Sequence, residues 1–401
     1  MGTVACLYSV TRDERLVPVM EGLVAANLDP YRYRGPPLSK VHNHATLANL
    51  VLLEAARVFG RPEWRDAAID RFVRDAGDVF EPCGMSAEQS STDQLLNLNL
   101  WRRALHRLGA ETDLGIDMEG HLHRAAVSTW QLTRPDGILD AIGVGNAMPV
   151  SAAQLGLAED AVLPTRLMCP HLGWAANRTS WDDTATHYVL RFGPPRAAHG
   201  HVDRGALTWF TRGVAVFADR GMFDRTRDRR WRWAHSPASH STFGARDLEW
   251  PGSFDVRADR GRGVDRYLVQ TVRKEARMSR AFAFTLDPDP ARAIMSVVDS
   301  GSSAQPRVWT QRWHLAEGWR PARNPARDGY VARHAASGLY LLGTCRSGIG
   351  ESAEVRMSVR AVETYPAWRT VATAYAVECS AKGRDVRLRT QWSVTASPSA
   401  G

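Results

Sequence analysis

The apolar positions of the chain follow two different periods. From residue 40 to about 133 they recur at three and four, the spacing of one face of an α-helix. LANLVLLEAARVF (47–59) shows this first, and PEWRDAAIDRFVRDAGDVF follows with Pro62 near a helix start and Gly77 near its end. SAEQSSTDQLLNLNLWRRALHRLG then runs to the stop signal Gly109, and MEGHLHRAAVSTWQL closes the series. This half predicts a stack of helices joined by short loops. After Pro164 the pattern changes to short alternating runs: THYVLRFG, GALTWFTRG, VAVFADRG, YLVQTVR, AFAFTLD, AIMSVVD, RVWTQRWHL, GYVARHA, LYLLGTC, EVRMSVRAV, YAVEC and VRLRTQWSV. They are rich in Val, Tyr, Trp, Phe and Thr and punctuated by Gly, Pro, Asp or Ser, which predicts an antiparallel β-sandwich or layered sheet rather than βαβ units. The boundary is expected between 150 and 168, around AAQLGLAEDAVLPTRL, giving a helical domain over 1–160 and an antiparallel β domain over 161–401. No repeat of fixed period interrupts either half.

Composition narrows the classes. With 401 residues, 44% apolar, 23% charged and 8% aromatic, the chain is globular, which excludes disordered, collagen-like and coiled-coil proteins. Lys and Arg number 51 against 43 Asp and Glu, a net +8, and the only lysines are Lys40, Lys274 and Lys382. Arginine forks suit carboxylates, sulfates and phosphates, so an anionic ligand fits this excess. The arginines are dispersed among acids through both halves, which argues against nucleic acid. Cys6, Cys83, Cys169, Cys345 and Cys379 are odd in number, far apart and without CxxC spacing, which argues against a disulfide framework and for a reducing compartment. The N-terminus meets Arg12, Asp13, Glu14 and Arg15 before any apolar core, and no stretch reaches the ~18 apolar residues of a membrane span. A cytoplasmic protein is expected, with homodimerisation left open.

The densest polar constellation is AAHGHVDRG (197–205). In an extended segment side chains alternate faces, so His199, His201 and Asp203 are expected to project together. The next two runs fold as a hairpin about Arg212-Gly213, which returns Asp219 beside this segment, and His240 follows in SPASHSTF. His201, Asp219 and His240 supply two nitrogens and one oxygen, a ligand mix that zinc accepts; ordinary hydrogen-bonded strand-end residues are the alternative. In the helical half, His42, Asn43 and His44 head a long helix, where Asn43 is otherwise a cap. Glu88, Gln89, Ser90, Ser91, Thr92, Asp93 and Gln94 precede another, with Ser91 or Thr92 as the capping alternative.

The order of these segments resembles the heparinase II/III-like polysaccharide lyases. Asn43-His44, Glu88-Gln89-Ser90, the GWAANRTSWDD lead-in (173–183), His199-Gly200-His201-Val202-Asp203, Asp219, Ser239-His240-Ser241-Thr242 and RWHL (312–315) carry the likeness, over about residues 40–315. The resemblance implies a shortened, incomplete (α/α) toroid followed by an antiparallel β-sandwich. It implies zinc on His201, Asp219 and His240, and His199 reaching the cleft between the domains to take part in elimination. Three departures stand out. The family's catalytic tyrosine after the Glu-x-Ser segment falls here at Asp93 or a neighbour, and no tyrosine lies between Tyr33 and Tyr188; a second family tyrosine corresponds to Phe223. An acidic residue of the loop after PDG is replaced by Val144.

β-Elimination from a uronate needs donors on the carboxylate, a base, and an acid at the leaving oxygen. Asn43 and His44 are the expected carboxylate donors and His199 the base, an imidazole with an ordinary pKa near ~6.5. Asp93, Glu88 or His42 would complete proton transfer, with His42, Gln89, Trp174 and Trp181 binding substrate. Trp209, Trp231 and Trp233 are further flat surfaces, some of them core. The leading reading is a lyase acting on an acidic sugar or oligosaccharide. Elimination or rearrangement of a non-polysaccharide metabolite, and a non-catalytic zinc-stabilised glycan binder, are the competing ones.

Overall fold

The structure, a computed structural model, describes residues 1–34, 42–109, 112–158, 160–193, 199–245, 248, 253–261, 263–322, 329–348 and 354–398. Lys40 and Val41 ahead of His42, Glu159 at the expected boundary, and Ala197 and Ala198 of the AAHGHVDRG run lie outside these residues.

Seven helices come first: α1 Gly2–Thr11, α2 Leu16–Leu28, α3 Pro30–Arg34, α4 Asn43–Phe59, α5 Pro62–Ala76, α6 Ser91–Leu108 and α7 Met118–Leu132. Their ends follow local chemistry. His42 caps α4 by accepting from the Ala45 N–H and Gly60 ends it at φ 64°, Pro62 opens α5, and Ser90 and Asp117 cap α6 and α7. The capping role open to Asn43 therefore belongs to His42, and that open to Ser91 or Thr92 belongs to Ser90. Helices α1 to α3 had no signal in the sequence strong enough to separate them.

A two-stranded hairpin, β1 Ile138–Leu139 with β2 Met148–Pro149, leads into a five-stranded sheet. Its strands are β3 Arg166–Cys169, β4 Trp174–Arg178, β5 His187–Arg191, β6 Leu207–Thr211 and β7 Val214–Phe217, paired in sequence order. After the short helix α8 Arg229–Ala234 comes a ten-stranded sheet. It holds β8 Phe243–Ala245, β9 Ser253–Gly261, β10 Val264–Val272, β11 Ala276–Thr285, β12 Ile294–His314, β13 Trp319–Ala322, β14 Gly329–His334, β15 Tyr340–Ser347, β16 Arg356–Thr364 and β17 Ala372–Thr395. Every pairing among these strands is antiparallel. The fold is thus mixed, with helices before an antiparallel C-terminal region.

The smaller sheet is buried on both faces. One face shares a core with the helices, where Leu167, Trp174, Ala176 and Val189 meet Leu98, Trp101, Ala125 and Leu132. The other places Tyr188, Leu190, Trp209 and Phe217 against Tyr267, Phe282, Met295, Trp313 and Trp392 of the larger sheet. Two corrections to the strand reading follow. AIMSVVD and RVWTQRWHL are one strand, β12, with a register shift between Ser302 and Arg307, and YAVEC and VRLRTQWSV are one strand, β17. The polar residues between each pair of runs stay in the ladder because each strand is the other's partner along most of its length.

Cys83 and Cys169 form a disulfide, as do Cys345 and Cys379, while Cys6 is free. Separations of 86 and 34 residues gave no spacing motif, so the reading of five unpaired thiols is overturned. The support those thiols lent to a reducing compartment goes with it. Among the described residues no helix is long and apolar enough to cross a membrane.

Candidate active site

Four backbone segments meet where the helices face the smaller sheet: the start of α4, the loop 85–91, the loop 140–146 and the turn 199–205. Loop 85–91 is fixed by the Gln94 side chain, which accepts from the Ser86 N–H at 2.7 Å and donates to the Gly84 carbonyl at 2.8 Å. Within it Gln89 adopts φ 59°, a left-handed conformation uncommon for a residue other than glycine. Loop 140–146 is stitched to both neighbours: Ser90 Oγ donates to the Val144 carbonyl at 2.7 Å, and the Val144 N–H to the His199 carbonyl at 2.9 Å. Gly143, at φ 76°, is required there, since a Cβ would lie 2.7 Å from the Gln89 carbonyl oxygen and 2.8 Å from that of His199.

On this frame His199 Nδ1 lies 2.7 Å from Glu88 Oε2 and 3.6 Å from Asp93 Oδ2. Glu88 Oε1 accepts from the Asn43 N–H at 2.7 Å, and the Asn43 side-chain amide donates to Asp93 Oδ1 at 2.8 Å. The exposed ring of His44 is 6.3 Å from the His199 ring and 6.1 Å from that of His42. Asn43, His44, Glu88, Asp93 and His199 are therefore one constellation. Burial lowers the affinity of His199 for a proton, but the bond to Glu88 and the charges of Asp93 and Glu88 outweigh it and raise its pKa above the ordinary imidazole value. Burial likewise opposes ionisation of Glu88, yet its bonds to His199 and the Asn43 N–H hold it below the usual carboxylate range; burial wins at Asp93, which is raised.

The positions refine the expected roles. Glu88 and Asp93 are both buried and lie on the Nδ1 side of His199. Asn43 is buried and spends its amide on Asp93. Gln89 is buried and bonds the Leu172 carbonyl at 3.4 Å, and Trp174 is fully buried under the Arg191 guanidinium, so neither offers a surface to a ligand. Trp181 stacks on Trp130 at 6.0 Å and donates to the Leu163 carbonyl, at the C-terminal end of α7.

The described part of the AAHGHVDRG run, 199–205, is a turn and not an extended segment, so its polar side chains diverge. His199 goes to Glu88, Asp203 to Arg191 at 3.3 Å, and His201 into the interior, where its ring lies 5.2 Å from that of His240. His240 Nδ1 is 2.8 Å from Asp219 Oδ2. Both nitrogens of His201 and Nε2 of His240 are buried without a hydrogen-bond partner. Such atoms are costly unless something satisfies them, and two imidazoles with a carboxylate are donors that suit zinc. Among the described residues no group of three or more His, Cys, Asp or Glu side chains is arranged to hold a metal ion as it stands.

A family model, Heparinase II/III-like, C-terminal, matches residues 162–389, more than half of the chain. The chain belongs to the heparinase II/III-like family. No curated protein matches its sequence. Among solved structures it resembles a heparinase III gene product, with a TM-score of 0.77, 16% identity, and coverage of 96% of this chain and 62% of that one. A heparan sulfate lyase mutant from Pedobacter heparinus gives 0.74 and 14%, covering 96% and 64%, and a further heparinase III gives 0.79 and 12%, covering 98% and 68%. The chain spans less than two thirds of the length of the first two.

Two residues of this heparinase II/III-like chain were missed in the sequence. Arg225, exposed between β7 and α8, is near enough for its charge to act on both His199 and Asp93. Its loop is held by the Met222 N–H on the Gly145 carbonyl at 3.0 Å and by Asp224, which bonds Arg369 at 3.2 Å. One arginine among dozens gave no signal. His235, whose ring is 4.2 Å from that of His201, sits outside every motif and was passed over. The ring of Phe223 packs 5.8 Å from that of Tyr365.

Proposed function

We propose that this protein is a lyase that cleaves a uronate-containing oligosaccharide or acidic sugar conjugate by β-elimination. The observation that carries this reading is the Glu88–His199 pair, 2.7 Å apart and flanked by exposed His44. A neutral imidazole that gives its Nδ1–H to Glu88 keeps a lone pair on Nε2, the requirement for a general base. His199 Nε2 takes the proton from carbon 5 of the uronate. The C–H electrons form the carbon 4–carbon 5 double bond as the carbon 4–oxygen bond breaks, and the leaving oxygen receives a proton from His44, the neighbouring exposed ring. Charge that develops on the carboxylate is met by the Arg225 guanidinium, whose fork geometry matches a carboxylate. Glu88, Asn43 and Asp93 act through His199 and are positioning residues.

The fold is shared with proteins named heparinase III and heparan sulfate lyase, which supports an anionic sugar as substrate. The helices up to Leu132 are read as a shortened (α/α) toroid, with domains at 1–160 and 161–401. His201, Asp219 and His240 would hold a zinc ion, which when bound supplies a buried charge that ties β7 to the segments around it.

The test is to incubate the chain with uronate polymers and oligosaccharides and to follow the absorbance of an unsaturated product. New absorbance that disappears in His199→Gln supports the reading. No product from any uronate substrate overturns it.

A further inference from the structure

We propose that the outer face of the larger sheet is a docking surface for a polyanionic glycan chain, separate from the place where that chain is cut. The inference rests on the lyase reading above and deepens it by giving a polymer a second hold. The inner face of this sheet packs on the smaller sheet, which in turn packs on the helices, so the outer face points away from both. Register carries one row of residues across it: Arg257 of β9, Leu268 of β10, Ala281 of β11, Val298 of β12, Arg389 of β17 and Arg346 of β15. At the ~4.8 Å spacing of neighbouring strands this row is about 24 Å wide. Between Arg257 and Arg389 the short side chains of Ala281, Ala283 and Val298 floor a shallow depression of about 500 Å³, and Arg266 completes its wall.

The charges of this face are unbalanced. Arg346 and Arg389 are exposed and lie directly opposite one another, and among the described residues neither makes an ion pair, an arrangement that costs stability until an anion lies between them. The neighbouring carboxylates of β9 already have partners: Asp255 is 3.3 Å from Arg257 and Asp259 is 3.9 Å from Arg266. A guanidinium fork fits a carboxylate or a sulfate, and a chain that bears such groups on successive rings can bridge arginines set a strand or more apart. The aromatic rings under the depression, Tyr267 and Phe282, are buried, so none is offered for stacking the bases of a nucleic acid. No large apolar side chain of the depression is exposed either, which a membrane surface would need.

The experiment titrates heparin, a sulfated uronate polymer, into full-length His199→Gln protein with and without the pair Arg346→Ser and Arg389→Ser. Mass spectrometry then reads which arginines heparin shields from phenylglyoxal, and wild-type cleavage of the polymer is followed in parallel. The pair should weaken binding about tenfold, the combined worth of two exposed charge contacts, with Tm unchanged. Removing two exposed arginines of the helices instead, Arg103→Ser with Arg124→Ser, should leave the affinity as it was, and heparin should shield Arg346 and Arg389. Equal losses in the two pairs, or no shielding, overturns the docking surface and leaves cleavage at His199 standing. Shielding and pair-dependent binding in a chain that cleaves no uronate polymer keep the docking surface and overturn the lyase reading. Equally tight, pair-dependent binding of single-stranded DNA overturns the glycan as occupant.

Discussion

On either side of Gly200 the chain places two histidines in opposite settings. His199 keeps 12% of its side chain exposed and gives Nδ1 to Glu88, with Asp93 and Arg225 around it. His201 is fully buried, has no hydrogen bond at either nitrogen, and faces two further imidazoles. The electrostatics diverge accordingly. Carboxylates raise the proton affinity of His199, whereas burial and the neighbouring His240 and His235 push that of His201 well below the ordinary value. A ring held by a carboxylate with one nitrogen free is set up for proton transfer; a ring kept neutral and unpartnered is set up for a cation.

The largest effect should come from breaking the first histidine alone. His199→Gln, which keeps a donor for Glu88, is expected to cut turnover of a uronate substrate by ~10²–10⁴-fold, the usual worth of a general base, with Tm unchanged. His201→Ala should show the reverse pattern. On the zinc proposal it would no longer bind the metal, and at a zinc concentration of about 100 times Kd that would remove about 2.7 kcal/mol of stability, readable as a fall in Tm that added zinc no longer reverses. Equal losses of activity and stability in both variants would erase the contrast.

Glu88→Gln sharpens it. Removing a charge-assisted hydrogen bond costs about 1.5–3 kcal/mol, or roughly 10–100-fold in rate if all of it falls on the orientation of His199. The sign of the pH dependence is fixed by the raised affinity of His199: the base works only when deprotonated, so wild-type kcat/KM should climb as pH rises through a value above the ordinary ~6.5. In Glu88→Gln that climb should move to lower pH. A profile that stays where it was would show that Glu88 does not set the ionisation of His199. The smallest effect belongs to Trp181→Ala, which should leave KM within about twofold, since Trp181 packs on Trp130 rather than beside His199.

The same contrast explains what the sequence could reveal. Strands with one wet face, such as β10 and β11, alternate buried and exposed positions and were legible. In β4 to β6 every residue is buried, because helices cover one face and the larger sheet the other; β5 and β6 still read as strands through their aromatic and β-branched residues, but β4 registered only as a lead-in. The His-Gly-His spacing implied one direction for His199 and His201 where the structure has two, since alternation holds for an extended segment and this one turns. Trp174 carried no mark of burial, and the disulfides join residues too far apart to leave a spacing. Asn43, Glu88 and Asp93 were singled out in the sequence, but that Asn43 bonds Asp93 and that both carboxylates lie on the Nδ1 side of His199 depends on directions that only coordinates show.

The division of labour between the two histidines is tested most directly by long-range proton–nitrogen NMR of the imidazoles, with the 13 histidines labelled and assigned by substitution. His199 should titrate above the ordinary imidazole value and, once neutral, carry its proton on Nδ1; His201 should show no titration across the range in which the protein stays folded. A His199 that titrates at or below the ordinary value, or holds its proton on Nε2, would contradict the account, as would a His201 that titrates like a surface residue.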